Sequence, residues 1–313
     1  MRFASIDLGT NTVRLLVADA DRPGRWQLVH QEQRVTRLGE GLWPAGELRE
    51  PAMVRTRDVV AAYVSRARSL GATAVRIVAT SAVREARNGA AFAAALASLT
   101  AAPVDVVTGD DEARLTVRGV IDGLGVSQGT SIVFDIGGGS TEYIRTEAGR
   151  VVRAVSLRLG VVPLAEEFPF PERVEPARYR RMEDAIAERL RRELPGAVAG
   201  APIGRLIGTA GTVTTLAALD LDLETYDADR VQGHRLSRAA VERLLARLGA
   251  LTVGERAALP ALEPGRADLI VPGIAIVLAT FRRLEVDTLT VSDAGLREGM
   301  IAEAVERLFG RDI

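Results

Sequence analysis

No cysteine occurs among the 313 residues. Disulfides, thiolate nucleophiles and Cys-ligated metal sites are therefore excluded. Lysine is absent too, so all 40 basic residues are arginine. A Walker A loop needs its lysine, which excludes P-loop nucleotide chemistry, and lysine Schiff-base catalysis goes with it. We ascribe the missing lysine to genomic codon bias, but it has a chemical consequence: arginine binds phosphate oxygens bidentately. The two histidines, His30 and His234, stand in no motif and read as ordinary structural or surface residues. Net charge is −1, so the total gives no sign of a nucleic-acid partner, and any anion site must be local. No apolar run reaches the length of a membrane span. No charged-then-apolar leader is seen, since Arg2 leads straight into the first strand; the expected setting is the cytoplasm, with no membrane partner.

What is present suits a globular chain: 47% hydrophobic and 26% charged residues, with length enough for two domains and a sizeable core. The most informative stretch is Thr130 to Tyr143. A β-branched and aromatic run, Ile132 to Phe134, predicts a buried strand. It ends in Asp135, then Gly137, Gly138 and Gly139, then Ser140, Thr141 and Glu142, before a second strand from Tyr143 to Arg145. Successive glycines let bare backbone N–H groups approach a ligand, and the hydroxyls add donors. Asp135 and Glu142 bracket the loop with carboxylates able to hold a hard cation. The same order of parts opens the chain: Phe3 to Ile6, then Asp7-Leu8-Gly9-Thr10-Asn11-Thr12, then Val13 to Val17. The two aspartates are 128 residues apart (135 minus 7). A repeated strand–Asp–Gly-turn–strand unit predicts a duplicated α/β domain, each half offering a phosphate loop to a shared cleft.

Between and after these hairpins the periodicity predicts helices over 53–70, 90–99, 178–193, 237–248, 267–284 (with Pro272 a potential kink) and 300–308. Strands are predicted over 27–36, 75–79, 104–107, 151–157 and 288–291. Thr80 or Ser81 can cap the following helix, which puts Arg84 in its first turn, either as a solvated residue or beside the cleft. Thr108-Gly109-Asp110-Asp111-Glu112 places three acids at a helix start. Two readings stand there: acids favoured by the helix dipole whatever their role, or a general base facing the phosphates. Residues 163–176, rich in proline and acids, predict a surface connection. Leu206 to Thr215 predicts a third strand, then a Gly/Thr turn entering a helix at Val213, which is either an anion site or a plain tight turn.

Taken together, these motifs resemble the exopolyphosphatase/guanosine pentaphosphate phosphohydrolase (Ppx/GppA) family, within the actin, sugar kinase and heat-shock ATPase superfamily. The resemblance runs over essentially the whole chain. It rests on Asp7 to Thr12, Thr108 to Leu115, Asp135 to Glu142, Gly208 to Thr212, and Ser292-Asp293-Ala294-Gly295-Leu296-Arg297-Glu298-Gly299. The family's usual Ser-Asn-Ser is Thr10-Asn11-Thr12 here, and its Glu-Glu-Ala-Arg is Asp111-Glu112-Ala113-Arg114. The resemblance implies an α/β fold of two ribonuclease-H-like (actin-like ATPase) domains flanking a central cleft. Residues 1–120 would form the first domain, with a C-terminal helix, 299–313, returning to it, and residues 121–298 the second. It implies hydrolysis of a terminal phosphoanhydride of inorganic polyphosphate, or of guanosine pentaphosphate (pppGpp), dependent on Mg²⁺ or Mn²⁺, by a homodimer. Carried over by position, Glu112 matches the base that activates water. Asp7, Asp135 and Glu142 match the metal-side acids. Thr10, Asn11, Gly138, Gly139 and Ser140 match the phosphate cradle, and Arg14, Arg84 and Arg266 the guanidinium contacts. Longer relatives carry a further helical domain of the HD type. A chain ending at Ile313 leaves no room for it, so preference between long chains, short chains and pppGpp stays open.

Three other readings compete. A dinucleotide-binding oxidoreductase fails on G-x-G-x-x-G, because Glu142 occupies the last glycine position. A kinase of the same superfamily is opposed by Glu112 and by the last motif. A nucleotide- or alarmone-binding sensor without turnover differs in a single observable, tight binding with no phosphate release.

Overall fold

The structure, a computed structural model, describes every residue except 23–24, 127, 201 and 310–313. The chain divides into two compact units, Met1–Asp122 with the chain from Ala294 on, and Gly123–Asp293.

In the first unit, alternation along β1 (Arg2–Leu8) sends Ala4, Ile6 and Leu8 to one face of a sheet and Phe3, Ser5 and Asp7 to the other. β1 pairs antiparallel with β2 (Thr12–Arg22), which pairs antiparallel with β3 (Arg25–Val35). Short α1 (Leu42–Ala45) and long α2 (Glu50–Ser69) follow. β4 (Ala74–Ala79) returns parallel to β1 and leads into α3 (Ser81–Glu85) and α4 (Gly89–Thr100). β5 (Val104–Val106) lies parallel to β4 and delivers α5 (Gly109–Leu124). The sheet order is β3-β2-β1-β4-β5. Ala4, Ile6, Leu8, Val13, Leu15 and Val17 bury one sheet face with Val60, Tyr63 and Val64 of α2 and Phe92 and Leu96 of α4.

The second unit repeats the plan. β6 (Thr130–Ile136), β7 (Thr141–Glu147) and β8 (Arg150–Leu157) form an antiparallel meander. α6 (Val161–Glu167), α7 (Pro176–Glu193) and α8 (Gly196–Ala199) lead to β9 (Arg205–Thr209), which is parallel to β6. α9 (Ala210–Asp220) and α10 (Ala228–Val231) precede an edge strand, β10 (Arg235–Ser237), antiparallel to β11. α11 (Arg238–Gly249), α12 (Val253–Ala257) and α13 (Ile270–Leu284) come before β11 (Thr288–Val291), parallel to β9. The order β10-β11-β9-β6-β7-β8, read from β8 inward, gives three antiparallel strands and then two parallel ones, as in the first sheet. The final helix, α14 (Leu296–Phe309), belongs to the first unit: Ile301 and Val305 close the second sheet face over Phe3, Leu16, Ala18 and Ala20. Two mixed α/β sheets of ribonuclease-H-like order therefore make up the chain, as its duplicated hairpins predict. Among the described residues no helix is long and apolar enough to cross a membrane.

Several local expectations need correction. Residues 163–176 are not a plain surface connection. Pro163 sits in the first turn of α6, and Leu164, Phe168 and Phe170 are buried. The stretch is pinned by fully buried Arg256, whose guanidinium donates to the Leu248 carbonyl at 2.8 Å and the Phe170 carbonyl at 3.1 Å. The expected turn after β9 is absent: the strand passes into α9 through Ala210, whose φ is +68°. Pro272 does not kink α13, because it lies in the first turn, where its missing N–H breaks no bond. Thr80 stands at the N-cap of α3 without a side-chain cap bond. His234 is not isolated either; its Nε2 meets Asp220 Oδ2 at 2.9 Å.

Candidate functional site

In the first unit the carboxyl ends of three parallel strands converge, the place where open α/β sheets carry ligands. The β1–β2 turn closes through Gly9 N–H donating to the Thr12 carbonyl at 3.1 Å. It is held from behind: Thr10 O accepts from Gly39 N (2.8 Å) and Asn11 O from Thr36 N (2.9 Å). Thr10 and Asn11 are both buried, and Asn11 Oδ1 has no hydrogen-bond partner among the described residues. A buried amide end left open in such a turn is a position for a ligand or an ordered water.

Asp7 is the last inward polar group of β1. It is buried, and its cross-strand partner is Arg14, whose Nη1 lies 3.4 Å from Asp7 Oδ2. Burial pushes the Asp7 carboxyl above the usual range; Arg14 and then Arg297 pull it back, while Glu298 adds to the rise.

At the ends of β4 and β5, Thr80 N donates to Leu8 O (3.2 Å) and Val107 N to Ala79 O (3.1 Å), which staggers the two following helices beside the turn. Arg84, in the last turn of α3, is not a solvated helix residue. Its Nη1 donates to Val107 O at 3.0 Å and to Glu112 Oε2 at 2.9 Å. Glu112 sits in the first turn of α5, where its N–H donates to Thr108 O (3.0 Å). Thr108 and Asp111 cap that helix: Asp111 N donates to Thr108 Oγ1 (3.2 Å), and the Thr108 hydroxyl donates to Asp111 Oδ2 (2.8 Å). That hydroxyl, with Arg114, holds the Asp111 carboxyl below its usual range. Two of the three acids thus separate by role: Asp111 caps the helix and Glu112 faces Arg84.

The second unit builds the same turn 128 residues later, with Gly137 N donating to Ser140 O at 2.9 Å. The chemistry beside it differs. Asp135 pairs across the strands with Glu142, so an acid replaces the arginine that faces Asp7. Register places Ser156, Glu142, Asp135 and Thr209 in one row across β8, β7, β6 and β9. Side chains in such a row share a sheet face. Glu142 is 2% exposed and accepts from Ser156 Oγ at 2.6 Å. Tyr143 and Phe134, one residue on, point to the other face, where their rings stack 6.1 Å apart and the Tyr143 hydroxyl meets Thr280 Oγ1 at 2.6 Å. Gly138 and Gly139 are backed by the start of α6, with Val162 N donating to Gly138 O at 2.9 Å. A Cβ on Gly160 would collide with the Gly138 carbonyl, so glycine is required there for the loop to be supported so closely.

Two neighbouring carboxylates flanked by hydroxyls suit a hard divalent cation. Mg²⁺ commonly takes one or two carboxylates and completes its octahedron with water and substrate phosphates. No cluster of three or more acidic, His or Cys groups that could hold a metal occurs among the described residues.

The structure therefore gathers Asp7, Thr10, Asn11, Arg14, Arg84 and Glu112 at one set of strand ends, and Asp135, Gly138, Gly139, Ser140 and Glu142 at another. Arg266 stands apart in a 3₁₀ turn before α13, its Nε 3.2 Å from Glu263. Sequence reasoning missed Ser156, which lies in an ordinary strand with no distinguishing neighbour. It saw Thr209 only as part of a turn. It read Arg297 and Glu298 as motif letters without assigning them to the Asp7 carboxyl.

Comparison with known proteins places the fold and the chain in a family. The Ppx/GppA phosphatase family matches residues 16–308. Exopolyphosphatase 2 of Mycobacterium tuberculosis is 36% identical over 96% of this chain and 97% of its own length. The guanosine-5'-triphosphate,3'-diphosphate pyrophosphatase of Vibrio campbellii is 31% identical over 99% of this chain and 61% of its own. Among solved structures, an exopolyphosphatase from Cytophaga hutchinsonii superposes with a TM-score of 0.90 at 28% identity, covering 98% of both chains. The Aquifex aeolicus Ppx/GppA family member gives 0.82 at 31% identity, again over 98% of both. On its fold, its paired glycine turns and these matches, the chain belongs to the Ppx/GppA phosphatase family.

Proposed function

We propose that this protein is an exopolyphosphatase that releases the terminal orthophosphate of inorganic polyphosphate by metal-dependent hydrolysis. The observation that carries the reading is the Asp135–Glu142 carboxylate pair beside the Gly137–Ser140 turn, together with Glu112 at a helix start in contact with an arginine. Mutual coverage with the mycobacterial exopolyphosphatase supports polyphosphate; the match to the Vibrio enzyme supports pppGpp as a second substrate with the same chemistry.

Asp135 and Glu142 would hold Mg²⁺ or Mn²⁺, directly or through water. When bound, the cation supplies charge stabilisation to the phosphoryl oxygens. Backbone N–H groups at Gly138 and Gly139, the Ser140 and Thr10 hydroxyls, Asn11, Arg14 and Arg84 hold the phosphates and disperse charge developing on the equatorial oxygens. Glu112 orients a water and accepts its proton as the oxygen attacks phosphorus in line; the shortened chain departs as the P–O bond breaks. Arg266 contributes a more distant substrate contact. Phosphate release measured with polyphosphates of defined length, pppGpp and ATP, with and without metal, tests the reading. Release from polyphosphate but not from ATP separates the hydrolase from a kinase, and tight binding without release would favour a sensor.

A further inference from the structure

We propose that Arg84 is a positioning residue that couples substrate to base, with one guanidinium nitrogen holding Glu112 and its remaining fork edge taking a phosphate of the substrate. The inference rests on Glu112 being the base.

The two hydrogen bonds of Arg84, to Val107 O and to Glu112 Oε2, both leave from Nη1. Nε and Nη2 have no protein partner among the described residues. A guanidinium binds oxyanions through two parallel N–H bonds, and the open Nε/Nη2 edge offers that geometry without disturbing Glu112. The side chain is neither loose nor sealed: Arg84 is 23% and Glu112 12% exposed. Arginine stays protonated in proteins, so Arg84 takes no proton itself and acts by charge and geometry alone.

A phosphate docked on the fork lies on a rigid plane with the Glu112 carboxylate, which fixes the base relative to phosphorus. Of the other charged groups at these strand ends, Asp111 is engaged by Thr108 and Arg114, and Asp7 by Arg14. Glu298 accepts from Gly295 N (2.7 Å) and lies 3.4 Å from Arg297. Asp110 shares the first turn with Glu112. None of these can bridge a phosphate to Glu112 as a guanidinium can.

The test is kcat and KM for polyphosphate hydrolysis by the full chain, Arg84→Lys, Glu112→Gln and the double variant, with thermal melting to confirm folding. Arg84→Lys keeps the charge and loses the fork. It should lower kcat about tenfold or more, beyond any rise in KM, and cost little further once Glu112 is replaced by glutamine. A change in KM alone in Arg84→Lys, or the same tenfold loss on top of Glu112→Gln, would overturn the coupling and leave Arg84 a simple phosphate contact. Near-normal turnover in Glu112→Gln would instead overturn the base assignment beneath it.

Discussion

At the scale of single residues, the two hairpins show how one substitution changes the chemistry of a repeated turn. Asp7 and Asp135 occupy equivalent strand ends, but the residue opposite is arginine in one and glutamate in the other. The pair with the arginine suits an anion and the all-acid pair suits a cation. Asp135→Asn and Glu142→Gln should therefore raise the Mg²⁺ concentration needed for half-maximal phosphate release by tenfold or more, the scale of a lost charged ligand (~1.4 kcal/mol). Metal titration of steady-state rates checks this. Asp7 yields a stability prediction with a definite sign. Its folded carboxyl titrates above its unfolded value, so its favourable contribution is full below the unfolded pKa and is lost as pH rises through the folded one. Ionised Asp7 thus costs stability at neutral pH. Asp7→Asn should melt at a higher temperature than the unaltered protein at pH 7, with the difference shrinking or reversing in acid, while activity falls. A lower melting temperature at neutral pH would show that the Arg14 pairing outweighs burial.

At the scale of elements, the C-terminal Ser292-to-Gly299 motif serves packing as much as chemistry. A Cβ on Gly299 would overlap the Leu115 carbonyl, and one on Gly119 the Gly295 carbonyl, so α5 and α14 cross backbone to backbone. α5 carries Glu112 at its start, and this contact fixes its axis. Gly299→Ala should destabilise the fold by about 1–3 kcal/mol, the usual cost of overpacking. It should also lower kcat by shifting Glu112, as read by denaturant titration alongside steady-state kinetics. The strands and long helices were legible in the sequence because their apolar spacing is strong. Residues 163–176 were not, since proline and acids gave no sign that Phe168 and Phe170 would be buried under Arg256. β10, three residues long, was invisible for a different reason: only pairing with β11 defines it. Arg84 and Glu112 were identified separately, but their contact joins residues 28 apart and no spacing rule announces it.

At the scale of the whole molecule, two units repeat one sheet order with different groups beside each turn, Arg14 and the proposed base Glu112 in one and the Asp135–Glu142 carboxylate pair proposed to hold a cation in the other. The glycine, hydroxyl and acid letters of both turns were readable from the chain; the row Ser156–Glu142–Asp135–Thr209 was not, because strand register is a tertiary property. Removal of divalent metal by a chelator should abolish phosphate release and leave the far-ultraviolet circular dichroism unchanged, with activity returning on Mg²⁺ or Mn²⁺. Loss of secondary structure on chelation would make the cation structural instead.

The most direct measurement is phosphate release from purified protein with Mg²⁺, comparing defined-length polyphosphates, pppGpp and ATP, for the unaltered chain and Glu112→Gln. The account predicts release from polyphosphate that exceeds release from ATP and falls by ~10²–10⁴ in the variant, with KM little changed. Undiminished release in Glu112→Gln, or no release from any of the three substrates, would contradict it.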